Sequence, residues 1–202
     1  SQDNTLTCVR DAFGIKPFFY TFESGSFLFA SEIRGLRALK TQALALNIQR
    51  AYDYLVHGVY DSNDQTFYQG IHHLLPATIM KVSMTDSSKL NVQFKTWWKP
   101  NIDQSTNVSF DEAKELVRNQ FLENVKLHLR SDVPVAAALS GGIDSSAIVC
   151  TMRYLEPDMD INTYSFIAQN HPANEEKWVN LVNNYVGAIP NKIVLSPGNL
   201  IK

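Results

Sequence analysis

The second half of the chain alternates strand-like and helix-like segments, and this alternation constrains its fold more than any other feature. It predicts strands at residues 133–139, 161–168 and 192–195, and helices at residues 143–155 and 174–187. Strands that alternate with helices favour right-handed crossovers and a parallel sheet. Because residues 133–139 form a nearly continuous apolar run, we expect this strand to be buried on both faces. The predicted fold class is therefore α/β.

A capping signal marks the start of this half. Ser109 and Glu112 form the Ser-x-x-Glu pattern of a capping box. Apolar residues then recur every four positions, at Ala113, Val117, Phe121 and Val125. This spacing predicts an amphipathic helix over residues 110–130. The preceding residues 99–108 are polar and contain a proline, so we expect a linker there and a second domain at residues 109–202.

Residues 1–98 differ in composition, because 15 of the 22 aromatic residues lie within the first 100 positions. Their β-branched and aromatic runs predict a mainly β domain. The predicted strands are residues 6–9, 18–22, 27–30, 77–84 and 90–94, with hairpin turns at 23–26 and 85–89. Short helices are predicted at residues 36–40 and 48–57, the second one capped by Asn47.

One segment has a composition suited to ligand binding, and it directly follows the first predicted parallel strand. Open α/β sheets bind ligands at the carboxyl ends of their strands. Adjacent glycines let backbone N–H groups point at one spot, and a helix N-terminus adds unpaired donors. The segment consists of Ser140, Gly141, Gly142, Ile143, Asp144, Ser145 and Ser146. These donors suit a phosphate or pyrophosphate, and the alternative is an ordinary tight turn with a Ser or Asp helix cap.

Asp144 adds a carboxylate to this group of donors. A carboxylate repels phosphate unless a cation lies between them, and Mg²⁺ is held by one or two carboxylates together with phosphate oxygens. The segment lacks both the Gly-Lys-Ser/Thr of a Walker loop and the Gly-x-Gly-x-x-Gly of a dinucleotide site. We therefore expect Asp144 to hold Mg²⁺ beside a bound phosphate.

The overall composition argues against several other function classes. A net charge of −2 argues against nucleic acid as a partner. No apolar run reaches the roughly 18 residues of a membrane helix, and no signal peptide is visible, so we expect a cytoplasmic protein with no membrane partner. Cys8 and Cys150 are too few for a disulfide framework or a zinc site, and we expect both in the core.

Two sets of motifs resemble one known family. The loop at residues 140–146, together with residues 129–135 before it, resembles the pyrophosphate loop of the N-type ATP pyrophosphatases. Among these it is most similar to the glutamine-hydrolysing asparagine synthetases. Residues 10–17 and 29–33 resemble the end of that family's glutaminase domain, and residues 70–76 are also similar to the family's sequence. The resemblance thus covers nearly the whole chain.

The resemblance implies a fold and a reaction. Residues 1–98 would be the mainly β remnant of an N-terminal-nucleophile glutaminase, a type 2 glutamine amidotransferase domain. Residues 109–202 would be the truncated start of an ATP-pyrophosphatase domain of the adenine-nucleotide α-hydrolase type. In this family, ammonia from glutamine converts aspartate to asparagine after ATP and Mg²⁺ have activated it as β-aspartyl-AMP. The implied partners are aspartate, glutamine and ATP, with further association expected, for example as a homo-oligomer.

By analogy with the family, the loop would hold the ATP phosphates. The residues carried over for this role are Ser140, Gly141, Gly142, Asp144, Ser145 and Ser146, with Asp144 as the Mg²⁺ ligand. Leu139 would lie against the nucleotide, and Phe166 would contact the adenine. This chain departs from the family next to that residue, because it has Ile167 where the family usually has glycine.

The resemblance carries over no catalytic residue. The family's glutaminase uses a cysteine at its mature N-terminus, whereas residue 1 is serine. The family's downstream acidic loop and lysine have no counterpart in these residues, so we expect the isolated chain to be inactive. Two alternatives stay open. One is a related adenylating amidotransferase or cyclase on the same fold. This class includes β-lactam synthetase-like enzymes, peptide cyclases, and enzymes that amidate sugars and other carboxylates. The other alternative is a silent interaction module.

Polar residues outside the loop have structural explanations that we favour. Adjacent residues on a strand point to opposite faces, which argues against a metal site at the His72-His73 pair. A structural ion pair is expected among Arg10, Asp11 and Lys16, with a role at the domain interface or the family's ammonia tunnel as the alternative. Glu175 and Glu176 lie near the second strand of the parallel sheet, at a predicted helix N-terminus, where acidic residues interact favourably with the helix dipole. A substrate role is the less favoured explanation for His171, Glu175 and Glu176.

Overall fold

The computed structural model describes residues 4–84, 90–102, 107–169 and 171–194. The chain divides into two compact units, Ser1–Gln104 and Ser105–Lys202. The predicted turn at 85–89, part of the predicted linker and the last residue of the predicted strand 192–195 lie outside the described residues. No helix in the described part of the chain combines the length and the apolar character needed to cross a membrane.

The first unit contains two small antiparallel sheets and two helices. Its elements are β1 (Thr5–Val9), β2 (Phe19–Glu23), β3 (Ser26–Ala30), α1 (Ile33–Leu39), α2 (Ile48–His57), β4 (His72–His73), β5 (Thr78–Met84) and β6 (Leu90–Thr96). Strands β1, β5 and β6 form one sheet in that order, and β3, β2 and β4 form the other. Every strand and helix predicted here is present, with ends shifted by three residues at most.

Local turn and cap chemistry explains two of these elements. Ser24 and Gly25 both have positive φ, 50° and 78°, as a two-residue hairpin turn between β2 and β3 requires. The Asn47 side chain accepts the backbone N–H of Arg50 at the start of α2, which confirms the predicted cap.

The core of the first unit lies around one face of β5. Its buried cluster consists of Cys8, Tyr20, Leu74, Met80 and Val82. Burial raises the pKa of the Cys8 thiol, which agrees with the predicted core position. Burial, together with the Asp64 carboxylate, also raises the pKa of Tyr20 to about 12.

The second unit contains a parallel sheet and three helices. Its elements are α3 (Phe110–His128), β7 (Ala136–Ala138), α4 (Ile143–Leu155), β8 (Asn162–Ile167), α5 (Glu176–Val186) and β9 (Ile189–Val194). The strands pair in parallel in the order β7-β8-β9, which confirms the predicted parallel sheet. Ser109 and Glu112 form both bonds of the capping box at the start of α3.

The prediction that residues 133–139 form one strand buried on both faces is wrong. Only Ala136–Ala138 pair with β8, while Val133 is 69% exposed. Pro134 has no backbone N–H to donate to a ladder, so regular pairing begins after it. Ala137 joins buried residues of α3, α4 and α5 in one cluster, whereas the side chains on the other face of β7 are exposed. In the described residues, helices therefore cover one face of the strand.

Candidate functional site

The Ser-Gly-Gly segment lies where the first two parallel strands end. Ala138 pairs with Tyr164, and the Leu139 N–H donates to the Tyr164 carbonyl over 2.9 Å. Continuing this register by two residues places Ser140 opposite Phe166. The topology therefore brings these two predicted site residues to the same edge of the sheet.

Two serine hydroxyls hold the loop in shape. The Ser145 hydroxyl accepts the Ser140 N–H at 3.2 Å and donates to the Gly142 carbonyl at 3.2 Å. The Ser140 hydroxyl lies 3.0 Å from the Ser145 hydroxyl and accepts the Gly142 N–H at 3.3 Å. Because these hydroxyls bond within the loop, they preorganise it, but they also accept the N–H groups of Ser140 and Gly142. The N–H groups in the first turn of α4 are therefore the backbone donors that remain for a ligand.

Gly141 brings the loop into close contact with the start of α5. Its φ is +89°, and a Cβ at this position would lie 2.9 Å from the Cβ of Trp178 and 3.2 Å from the Glu175 carbonyl oxygen. A side chain therefore meets both backbone strain and a steric clash here. The sequence indicated a special backbone at the double glycine, but it held no signal that Trp178 and Glu175 form the facing wall.

Helix α4 begins without a side-chain cap. Its N-cap residue is Gly142, which makes no side-chain hydrogen bond to the first turn, and the Ser146 N–H is the donor to the Gly142 carbonyl at 3.1 Å. The N–H groups of the first turn have no intrahelical acceptors. Together with the helix dipole, they form a site with the chemistry to bind an anion.

The acidic residue of this turn, Asp144, is exposed. No three His, Cys, Asp or Glu side chains converge into a metal site within the described ranges. A single carboxylate such as Asp144 nevertheless fits Mg²⁺. This ion commonly takes one or two protein carboxylates and completes its shell with phosphate oxygens and water. Asp144 therefore suits a metal that arrives with a phosphate ligand.

The other two predicted contacts differ in accessibility. Phe166 is 57% exposed on the face of β8 that the described helices leave open. Leu139 is 1% exposed and lies in the core, so any contact with a ligand would come from its backbone. Ile167 is also 1% exposed, which leaves Phe166 as the accessible side chain at the end of β8.

The polar residues at and just before the start of α5 make structural contacts. Glu176 forms an ion pair with Lys192 of β9, with 2.7 Å between Oε1 and Nζ. His171 Nδ1 accepts the Ala173 N–H at 3.1 Å. The backbone carbonyl of Glu175 accepts the N–H of Trp178 at 2.9 Å. These contacts hold the turn that faces Gly141.

The expected ion pair among Arg10, Asp11 and Lys16 is absent from the described part of the chain. Arg10 instead donates to the carbonyls of Gly14, Lys16 and Leu74. Asp11 accepts three backbone N–H groups, and those of Lys16 and Ile15 hold its pKa below the usual range. Arg10 and Asp11 therefore each bond to backbone groups of the loop that follows them, and within the described residues they do not pair with one another.

The two adjacent histidines are fixed by different partners. His72 Nδ1 lies 2.9 Å from an Asp64 carboxylate oxygen. His73 Nδ1 lies 3.2 Å from the Arg10 guanidinium, and its Nε2 faces the Asn63 carbonyl. Since arginine only donates, Nδ1 of His73 is the acceptor in its contact with Arg10.

Comparisons with known proteins match both units. A model described as "Glutamine amidotransferase domain" matches residues 1–98, and one described as "Asparagine synthase" matches residues 116–202. Asparagine synthetase (glutamine-hydrolyzing) 3 of Bacillus subtilis is 29% identical over 98% of this chain and 33% of its own length. A putative asparagine synthetase (glutamine-hydrolyzing) 2 of Methanocaldococcus jannaschii is 29% identical over 89% of this chain and 34% of its own.

A relative with a different name has slightly higher identity over a shorter region. Amidase chyE of Penicillium rubens is 32% identical over 71% of this chain and 20% of its own length. The chain therefore spans about a third or less of the length of these curated relatives.

Proposed function

We propose, from the two domain matches and the relatives named asparagine synthetase, that this chain is part of a glutamine-hydrolysing asparagine synthetase-family protein that uses ATP and glutamine to amidate aspartate. A carboxylate oxygen of aspartate attacks the α-phosphorus of ATP, which forms β-aspartyl-AMP and releases pyrophosphate. Ammonia from glutamine then attacks the acyl carbon, and AMP leaves with the bonding electrons. Adenylation is needed because a free carboxylate is a poor acyl donor.

The observation that carries this proposal is the geometry of the loop at residues 140–146. Gly141 has a positive φ, and Gly142 opens α4 without a side-chain cap, at the carboxyl end of a parallel strand. In our proposal the N–H groups of this turn bind the ATP phosphates, and the hydroxyls of Ser140 and Ser145 keep the turn in shape. These fixed donors stabilise the negative charge that develops on the departing pyrophosphate.

Asp144 would hold Mg²⁺ against the phosphates. The ion neutralises phosphate charge and acts as a Lewis acid on the phosphoryl group. On the open face of β8, Phe166 offers an exposed ring at the same edge of the sheet. We assign it to the adenine, because an aromatic face stacks on any base.

A second candidate acceptor is a carboxylate other than that of aspartate. Two relatives with identities of 32% and 28% are named amidases, from Penicillium rubens and Gibberella zeae. Their matches cover 71% and 74% of this chain. ATP use and the role of Asp144 are the same in both candidates, and only the acceptor differs.

Amino-acid-dependent exchange of pyrophosphate into ATP tests the proposal in the complete reading frame that encodes this chain. Asp144→Asn keeps the shape but loses the charge, so we expect aspartate-dependent exchange to fall about 100–1000-fold. Glutamine hydrolysis, measured as glutamate release, should be retained. Asp111→Asn is the matched control, because Asp111 is an exposed acid in the first turn of α3.

The two candidates give different results in this assay. Exchange that requires aspartate supports the asparagine synthetase reaction, and exchange with another carboxylate alone supports the second candidate. Wild-type exchange in Asp144→Asn at saturating Mg²⁺ would overturn the assigned role of this residue. An equal loss in Asp111→Asn would show that the effect comes from helix charge in general.

A further inference from the structure

A cavity at residues of the first unit has no role in the proposed reaction. Its volume is about 450 Å³, which lies within the range of small-molecule sites, roughly 300–1,000 Å³. Aromatic rings form much of its wall, from Phe13, Phe19, Tyr60 and Phe67. The guanidinium-bearing residues Arg10 and Arg50 also line it. The lining thus combines an apolar body with two cations.

Arg50 is unusual because it is charged and only 8% exposed. It pairs with Asp53 and donates to the Ser62 hydroxyl at 2.9 Å. Its Nε–H is buried and has no hydrogen-bond acceptor in the part of the chain that the structure describes. A buried donor without an acceptor is destabilising, so an acceptor atom supplied by a ligand would stabilise this arrangement.

Arg10 adds a charge that no carboxylate of the described residues neutralises. Its guanidinium bonds to backbone carbonyls and to Nδ1 of His73, and it forms no ion pair within the described ranges. Arg50 already has Asp53 as its counterion, so Arg10 is the cation that favours an anionic ligand. Guanidinium groups bind carboxylates through strong, charge-assisted hydrogen bonds.

We propose that this cavity binds a small molecule that carries a carboxylate on an apolar, ring-sized body. The carboxylate would lie toward Arg10 and Arg50, and the apolar body would pack among the aromatic rings. Asp61 also lines the cavity and is exposed. The Asp61 carboxylate distinguishes two sources of such a ligand. It would attract the ammonium group of an amino acid, which a simple organic acid lacks.

The test is an NMR titration of the ¹⁵N-labelled chain with 3-phenylpropanoate and, separately, with L-phenylalanine. We expect the Arg50 Nε–H signal to shift, with a Kd on the order of 1 mM for a ligand of this size. The matched alcohol, 3-phenylpropan-1-ol, should bind at least about tenfold more weakly because it lacks the charge. Tighter binding of L-phenylalanine supports amino acids as the source, and weaker binding supports organic acids.

A blocking variant locates the site without removing the buried Arg50. Ile33 lines the cavity from α1, so Ile33→Trp should fill it and weaken binding at least about tenfold. Leu39→Trp is the control on the same helix, because Leu39 is 56% exposed and outside the cavity lining. The proposal is overturned if neither acid shifts the Arg50 signal, if the alcohol binds equally well, or if both Trp variants have the same effect.

Discussion

Replacing Gly141 by alanine tests how the loop of the second unit is built. Two separate effects act on an added Cβ at this position. The backbone φ of +89° is unfavourable for any L side chain, and the Cβ would lie 2.9 Å from the Cβ of Trp178. Two other glycines of the same unit isolate these effects. Gly187 has a φ of +64° with nothing near its Cβ position, and Gly142 has a φ of −70° with its nearest contact at 3.4 Å.

The expected free energies of unfolding follow from this comparison. Gly187→Ala meets only the cost of the left-handed backbone, about 1–2 kcal/mol. Gly141→Ala meets that cost and adds overpacking against the first turn of α5, about 1–3 kcal/mol more. Its total loss should therefore be about 2–5 kcal/mol. Gly142→Ala adopts an allowed backbone and changes only an N-cap, so its loss should stay below about 1 kcal/mol.

Hydrogen exchange measured by mass spectrometry in increasing urea gives the unfolding free energy of each unit separately. Peptides from α4 and α5 report on the second unit, and peptides from β5 and β6 serve as an internal control in the first. The expected order of destabilisation is Gly141→Ala, then Gly187→Ala, then Gly142→Ala. A Gly141→Ala variant no less stable than Gly187→Ala would refute the close approach of the loop to α5.

Three further predictions concern other parts of the chain. Thr163→Val should lower the free energy of unfolding by about 1–3 kcal/mol, because the buried Thr163 hydroxyl donates to Asn183 Oδ1 at 2.7 Å. In a double-mutant cycle, adding Asn183→Leu should recover most of this loss. Additive losses would contradict the coupling of the two residues. The backbone donors lower the pKa of Asp11 below its ordinary value of 3.8, so its stabilising contribution is complete above that pH and is lost as pH falls through the lower folded-state pKa. Asp11→Asn should therefore flatten the acid side of the stability–pH profile, and an unchanged profile would count against the role of these donors. Asn47→Ala should destabilise α2 by about 1 kcal/mol, measured by urea unfolding, with Asn47→Ser as a control that retains the cap; equal stability of the two variants would refute the cap.

Local signals predicted the helices well because their ends depend on neighbouring residues. The capping box at Ser109 and the cap at Asn47 act within three positions of their own site, and both form as expected. The residues of α4 also coincide with the predicted helix, 143–155. Such ends need no knowledge of distant parts of the chain.

The failed predictions involve contacts that sequence spacing does not contain. The apolar residues before β7 indicated a long buried strand, but Pro134 interrupts regular pairing, and helices α3, α4 and α5 pack with one face of β7 in a single core. Adjacent opposite charges at Arg10 and Asp11 suggested an ion pair, although their partners are backbone groups. The approach of Trp178 to Gly141 likewise depends on tertiary packing.

The most direct test of the proposed ATP site is the binding of magnesium pyrophosphate to residues 140–146. Titration into the ¹⁵N-labelled chain should shift the backbone amide signals of Gly141, Gly142 and the first turn of α4, and EDTA should abolish the effect. Asp144→Asn should weaken this Mg²⁺-dependent binding about tenfold or more, while Asp111→Asn leaves it unchanged. Shifts that lie elsewhere in the chain, that do not require Mg²⁺, or that survive at full affinity in Asp144→Asn would contradict the assignment.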